Sequence, residues 1–185
     1  INYCFLKETL GNIEISKHKT NLYTSLLLEN YFTNIRSLYD FLFNFVKIGL
    51  NDAQLKTFPE KDSLNNLIKF SKNKNNKEKL PKRIQNFLLD IEPYLEEIRV
   101  IRDAIIHKGK EIILTKKDGE IYIRIPKTGL YSNDTILPNI LNSDEVDFNM
   151  DNYIREITKS LFYYSEELGN ILLIELFEKD EFKWN

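Results

Sequence analysis

Apolar residues recur at three- and four-residue steps through positions 19–48: Leu22, Leu26, Leu28, Tyr31, Phe32, Ile35, Leu38, Leu42, Phe45 and Val46. With Ser, Asn and Lys between them, this is the pattern of a long helix with a buried stripe. Gly49 follows where a helix C-cap is expected. Residues 3–15 read as a shorter helix or a packed arm. A connector over 51–61 containing Pro59 leads to a short helix over 63–71. Pro81 then opens a third helix over 82–108, since a proline at a helix start removes only an N–H that has no helical partner. Its apolar face is Ile84, Phe87, Leu88, Ile91, Leu95, Ile98, Ile101 and Ile105, and Pro93 inside it predicts a bend or break near Asp90. A last helix over 151–178 aligns Ile154, Ile157, Leu161, Tyr164, Leu168, Ile171, Leu172 and Leu176.

One stretch has the other period. Ile121, Ile123 and Ile125 alternate with Tyr122 and Arg124, and Lys117-Asp118-Gly119 supplies turn chemistry, so residues 111–126 predict a β-hairpin. Residues 127–149, rich in Asn, Asp, Ser and Pro, predict an irregular connector. The expectation is a mainly α fold, a bundle of long up-and-down helices with one hairpin insertion, as a single domain over 1–185. The chain has no internal repeat and no glycine-rich phosphate loop.

Composition narrows the classes. Hydrophobic residues at 42% suffice for a core, while six glycines and five prolines in 185 residues argue against a turn-dense all-β fold. The 26 Lys and Arg against 28 Asp and Glu, a net charge of −2, exclude a uniformly basic nucleic-acid coat. That total hides segregation. Lys69, Lys72, Lys74, Lys77, Lys79, Lys82 and Arg83 face only Glu78, whereas acids gather at 144–151 and in the C-terminal tail. The basic block reads as a solvated loop, or as a phosphate-attracting loop if a site lies beside it. A single cysteine excludes an internal disulfide framework, and two histidines are too few for an ordinary zinc site. No metal and no cofactor are expected. The apolar runs are too short to span a bilayer and the opening residues do not read as a secretory signal, so a cytoplasmic chain without membrane partners is expected.

The densest group of reactive side chains ends the third predicted helix: Arg99, Arg102, Asp103, His107, Lys108 and Lys110. At about 100° per residue, Ile98, Ile101 and Ile105 share the core side. Arg99, Arg102, Asp103, Ile106, His107 and Lys110 fall on the opposite face. Asp103 and His107 are four apart, so the carboxylate can hold the imidazole's tautomer. Arg102 adds a fork suited to phosphate. A histidine to move the proton and cations to stabilise charge on phosphorus are what phosphodiester cleavage without a metal needs. Ile106, apolar amid that polar face, suits burial by a second copy in a symmetric dimer. A histidine near a helix C-terminus is also favoured by the helix dipole alone, without chemistry.

Arg102-Asp103-x-x-x-His107 resembles the Arg-x(4–6)-His signature of the HEPN superfamily, including the polar residue that often follows its arginine. Its position late in a helix, after one long helix and before another, is similar too. The resemblance implies a helical domain that dimerises and a composite site in which Arg102 and His107 of both copies face each other. It implies a metal-independent endoribonuclease of the toxin–antitoxin or anti-phage type. RNA would be cut by attack of its own 2′-hydroxyl, leaving a cyclic phosphate. Asp103 would be catalytic with Arg102 and His107, and Arg99, Lys108 and Lys110 would bind substrate. An antitoxin or defence-system partner is implied, and a non-catalytic scaffold binding nucleotide or protein is the alternative. Two features depart from the family. The hairpin is an insertion relative to the simplest members, and Gly109 stands where tyrosine-modified toxins carry tyrosine.

The other reactive residues read as structural. His18, between two lysines, is expected in solvent. Cys4 has no activating neighbour in the sequence, and Tyr163 and Tyr164 sit at core spacing. The acidic tail over 175–181, followed by Phe182 and Trp184, reads as a fraying end. The pairs Glu96-Glu97 and Glu166-Glu167 are adjacent in sequence and so diverge rather than form a dyad.

Overall fold

The computed structural model describes residues 17–60, 63–76, 79–129 and 134–178. Among them the order is α1 (Lys17–Val46), a 3-10 turn (Lys47–Gly49), α2 (Asp52–Leu55), α3 (Leu64–Lys72), a 3-10 turn (Lys74–Asn76) and α4 (Lys82–Ile106). Then come β1 (Ile113–Lys117), β2 (Glu120–Arg124), β3 (Phe148–Asn149) and α5 (Met150–Glu178). The fold is mainly helical with one small antiparallel sheet. The expected arm over 3–15, Cys4, Lys77, Glu78 and the tail residues Phe182 and Trp184 lie outside the described residues. No helix among the described residues is long and apolar enough to cross a membrane.

The chain divides into two compact units, Ile1–Ile35 with Glu97–Thr158, and Arg36–Glu96 with Lys159–Asn185. In the first, Leu28, Phe32 and Ile35 of α1, Ile98, Ile101 and Ile105 of α4, and Ile154 and Ile157 of α5 are buried together with Ile123 and Phe148 of the sheet. The Tyr31 hydroxyl shares a hydrogen bond with Thr158 Oγ1 at 2.8 Å and donates to the Ile154 carbonyl at 3.1 Å. Burial pushes this phenol up to about 12, against the smaller downward pull of the Thr158 hydrogen bond.

The hairpin forms in the expected place. β1 and β2 pair antiparallel from Ile113 opposite Arg124 to Lys117 opposite Glu120. Asp118 and Gly119 both take positive φ, 53° and 82°, as a two-residue turn matched to strand twist requires. The connector is less irregular than its composition suggests. Pro126 bridges to Thr135, and Phe148-Asn149 adds a third strand on β2. Asn149 also caps α5, its Oδ1 accepting from Asn152 N at 3.0 Å. A two-residue strand is too short to leave an alternation signal.

In the second unit Tyr39, Phe43, Val46, Leu64, Leu67, Ile68, Ile84, Phe87, Leu88 and Ile91 are the deepest residues. Tyr39, Tyr94, Tyr164 and Phe87 form a chain of ring contacts at 5.6, 5.8 and 6.3 Å. α3 starts with Ser63 accepting from Asn66 N, while Asp40 takes the otherwise unpaired Leu64 N–H at 3.1 Å. The connector after Gly49 holds the one-turn helix α2, started by a capping box between Asn51 and Gln54.

Three expectations change. Leu22, Leu26, Leu38 and Phe45 are exposed rather than part of the α1 stripe. Tyr39, Leu42, Phe43 and Val46 take the core side, roughly 100° round the helix from Leu38, Phe41 and Phe45. Gly49 is not a left-handed cap; it is buried, and a Cβ there would lie 2.7 Å from Leu172 Cδ2. Finally, α4 runs unbroken through Pro93. Leu89 and Pro93 share an exposed face, so the Leu89 carbonyl that loses its donor stands on the solvent side. The Tyr164 hydroxyl donates to the next carbonyl, Asp90, at 3.2 Å.

Candidate functional site

Arg99, Arg102 and Asp103 stand in the last turns of α4 and His107 follows its last residue, all within the first unit. Burying Ile98, Ile101, Ala104 and Ile105 leaves the opposite side of the helix to the polar residues, as the 100° step requires. The helix ends in a widened turn: the Asp103 carbonyl accepts from both His107 N and Lys108 N, and Lys110 N reaches the Ala104 carbonyl at 3.0 Å. Gly109, at φ +58°, permits that turn without the strain a Cβ would bring.

Asp103 is the centre of the group. Its Oδ1 accepts from Arg102 Nε at 3.1 Å and Nη2 at 2.7 Å, and its Oδ2 accepts from Arg99 Nη1 at 3.2 Å. Burial is the largest single influence on the carboxyl and pushes it up. The Arg102 hydrogen bond and the charges of Arg102, Arg99 and His107 together outweigh it, holding Asp103 below the ordinary carboxylate value. His107 Nε2 lies 3.9 Å from Asp103 Oδ1. That is close enough for electrostatic attraction but too long for a hydrogen bond. The His107 side chain is 67% exposed, against 28% for Arg102 and 24% for Asp103.

Arg99, Arg102, Asp103 and His107 are thus brought together around one carboxylate, with Ile106 beside them at 39% exposure. Lys108 is exposed. Lys110 is turned away to donate to the Lys127 carbonyl at 3.1 Å, which ties the helix end to the start of the connector. This bond between residues 17 apart leaves no trace in local periodicity.

The basic block lies in the second unit and is only in part a loop. Lys69 and Lys72 end α3, and Lys82 and Arg83 begin α4. Lys72 pairs with Glu92 at 2.6 Å and Arg83 with Glu175 at 3.6 Å. Lys79 donates to Asn76 Oδ1 at 2.7 Å and sits over the Phe70 ring. His18 falls in the first turn of α1. Among the described residues no three His, Cys, Asp or Glu side chains converge as metal ligands.

A polar hollow of about 400 Å³ opens in the first unit, lined by Glu120, Tyr122, Glu145, Asp147, Asn149 and Arg155 among others. Sequence reasoning registered only the acid-rich run at 144–151. The hairpin and the first two turns of α5 complete the lining, because β3 pairs with β2.

The exposed histidine can exchange protons with a ligand in solvent, and the two arginines can share an anion with Asp103. No protein-family model matches the chain, and no curated protein or solved structure does.

Proposed function

We propose that this chain is a metal-independent endoribonuclease of HEPN type, working as a homodimer whose active site is composed of Arg102 and His107 from both copies. The observation that carries the reading is the gathering of Arg99, Arg102 and the exposed His107 around Asp103 at the end of a long helix. That helix lies in the chain between long α1 and long α5, the order the resemblance implies. One His107 takes the proton of a 2′-hydroxyl, and the 2′-oxygen attacks phosphorus. The partner's His107 protonates the leaving 5′-oxygen, so the products are a 2′,3′-cyclic phosphate and a 5′-hydroxyl. Arg102 stabilises charge on the phosphoryl oxygens. Ile106, between these residues in sequence, supplies apolar contact for the second copy.

The test is cleavage of an end-labelled RNA pool by wild type and His107→Ala, with product ends analysed. His107 is mostly exposed, so the substitution leaves the fold intact and lowers the rate by about 10²–10⁴-fold. EDTA leaves the wild-type rate unchanged. A rate equal in both proteins, or no cleavage by either, overturns the proposal. In cells, arrest of growth by wild type but not by His107→Ala accords with a toxin or defence role restrained by a neutralising partner.

A second reading rests on a different observation: Arg102 is already engaged by Asp103, and His107 lacks a hydrogen bond to that carboxylate. On this reading the motif is an anion site of a non-catalytic HEPN-like scaffold that binds a nucleotide or a protein. Saturable nucleotide binding that Arg102→Ala abolishes, without turnover, is its signature.

A further inference from the structure

The second unit carries an apolar groove of about 610 Å³ between α1 and α5, lined by Leu38, Phe41, Phe45, Phe162, Leu168 and Gly169 among others. No residue lining it is charged. Its rim holds some of the most exposed large apolar side chains among the described residues: Phe162 at 69%, Phe41 at 59% and Phe45 at 51%. Leu38, also in the lining, is about half exposed as well. A phenylalanine offers roughly 150–250 Å², so these four side chains leave on the order of 400–500 Å² of apolar surface in water. Monomers rarely expose more than that in one patch.

That area matches what a second copy needs. A stable interface takes about 800 Å² from each partner, of which about 65% is apolar in homodimers. The shape points the same way. Phe162 projects from α5, while Gly169 lies seven residues on, two turns along the same strip of the helix. A glycine inside a helix is unfavourable relative to alanine. Among the described residues no packing contact explains it, because a Cβ at Gly169 would meet no atom within 4 Å. One face therefore carries a knob and a hole about 10 Å apart.

We infer that this groove is a self-association face, in which two copies pack α5 against α5 antiparallel about a two-fold axis near Ser165. The axis lies midway between residues 162 and 169, so each Phe162 seats over the partner's Gly169. The contact is self-complementary, as a two-fold interface must be. Glu166 flanks the axis and meets its own copy there. Screening of these like charges makes added salt tighten the dimer, the opposite of its effect on binding to a charged partner. The inference is independent of the proposed ribonuclease site, which lies in the other unit.

The experiment is sedimentation equilibrium of the full chain at concentrations on the order of 1–100 μM. It is run in wild type and in Ile106→Lys, where association through the motif face is removed. Ile106→Lys is expected to remain a concentration-dependent dimer that tightens with salt. Adding Phe162→Asp weakens it by at least about 30-fold, the loss expected of a buried aromatic anchor, with an unchanged circular dichroism spectrum. Phe162→Ala and Gly169→Phe each weaken it alone, and the double variant, which exchanges knob and hole, restores it. A monomer throughout the range overturns the inference, whether another segment of the chain or a different protein covers the groove. So does a dimer indifferent to Phe162→Asp, or a double variant no tighter than the single ones. A dimer lost in Ile106→Lys alone overturns the groove while leaving the motif-face reading standing.

Discussion

Arg102 holds the carboxylate of its own sequence neighbour, with Nε and Nη2 at 3.1 and 2.7 Å from Asp103 Oδ1. Adjacent helical residues do not ordinarily face each other. The long arginine stem allows the fork to curl back, and Arg99 one turn earlier takes the other carboxylate oxygen at 3.2 Å. Asp103 thereby holds both arginines beside His107.

Acid sensitivity follows from that arrangement. Burial raises the Asp103 carboxyl, but the Arg102 hydrogen bond and the neighbouring positive charges lower it further, so it titrates lower in the folded chain than in the unfolded one. Its stabilisation is complete above the unfolded value of about 3.9 and is lost as pH falls through the folded value. Urea unfolding of Asp103→Asn is expected to show a loss on the order of 1 kcal/mol at neutral pH, shrinking towards zero in strong acid. A deficit that stays constant across that range contradicts the assignment.

Pro93 gives a second test. The helix continues through it, on a face where Leu89 is also exposed. Pro93→Ala restores the N–H for the Leu89 carbonyl and removes the ring's crowding without disturbing a packed core. Stability is expected to rise by about 1–3 kcal/mol, read as a higher urea midpoint at unchanged slope. Destabilisation would show that the proline is required by its surroundings.

These elements show what the sequence could and could not reveal. The long helices, the hairpin turn at Asp118-Gly119 and the polar face at 99–110 are local patterns, and each follows from a period or a turn residue. The α1 stripe was ambiguous because that helix carries two apolar strips. Three- and four-residue steps pass through Leu38 and Phe45 as readily as through Tyr39 and Val46. Of the bend or break expected at Pro93 the break does not occur, because proline weakens a helix only locally and which face it lies on depends on packing. The Lys110 contact with Lys127 and the pairing of β3 with β2 join distant segments, which no short window can register.

Gly49 makes a packing prediction. A Cβ there would stand 2.7 Å from Leu172 Cδ2 and 3.4 Å from Ile84 Cδ1, both in the core of the second unit. Gly49→Val therefore overpacks a filled space and is expected to cost about 1–3 kcal/mol. Gly169→Ala, placed in the Phe162→Asp background, meets open space and is expected to stabilise by about 1 kcal/mol. Thermal melts of the two variants should move in opposite directions; equal shifts would mean that the two glycines are not distinguished by space.

The last prediction rests on the proposed ribonuclease activity and concerns where RNA phosphates would then bind. Lys72, Lys79 and Arg83 have partners within the second unit, and Lys110 donates to a backbone carbonyl. Lys108 is an exposed cation beside His107, and Arg99 is exposed there too, its own partner being Asp103 of the motif itself. For single-stranded RNA, each phosphate neutralised contributes about −0.7 to the slope of log K against log salt. In the His107→Ala background, which on the proposed mechanism binds without cutting, Arg99→Ala and Lys108→Ala are each expected to flatten that slope by about 0.7. Lys72→Ala and Lys79→Ala leave it unchanged and instead lower stability slightly, because their contacts lie within the fold. If the slope flattens only on removing lysines of the 69–83 block, phosphate recognition lies in the second unit, and the motif is not where RNA is held.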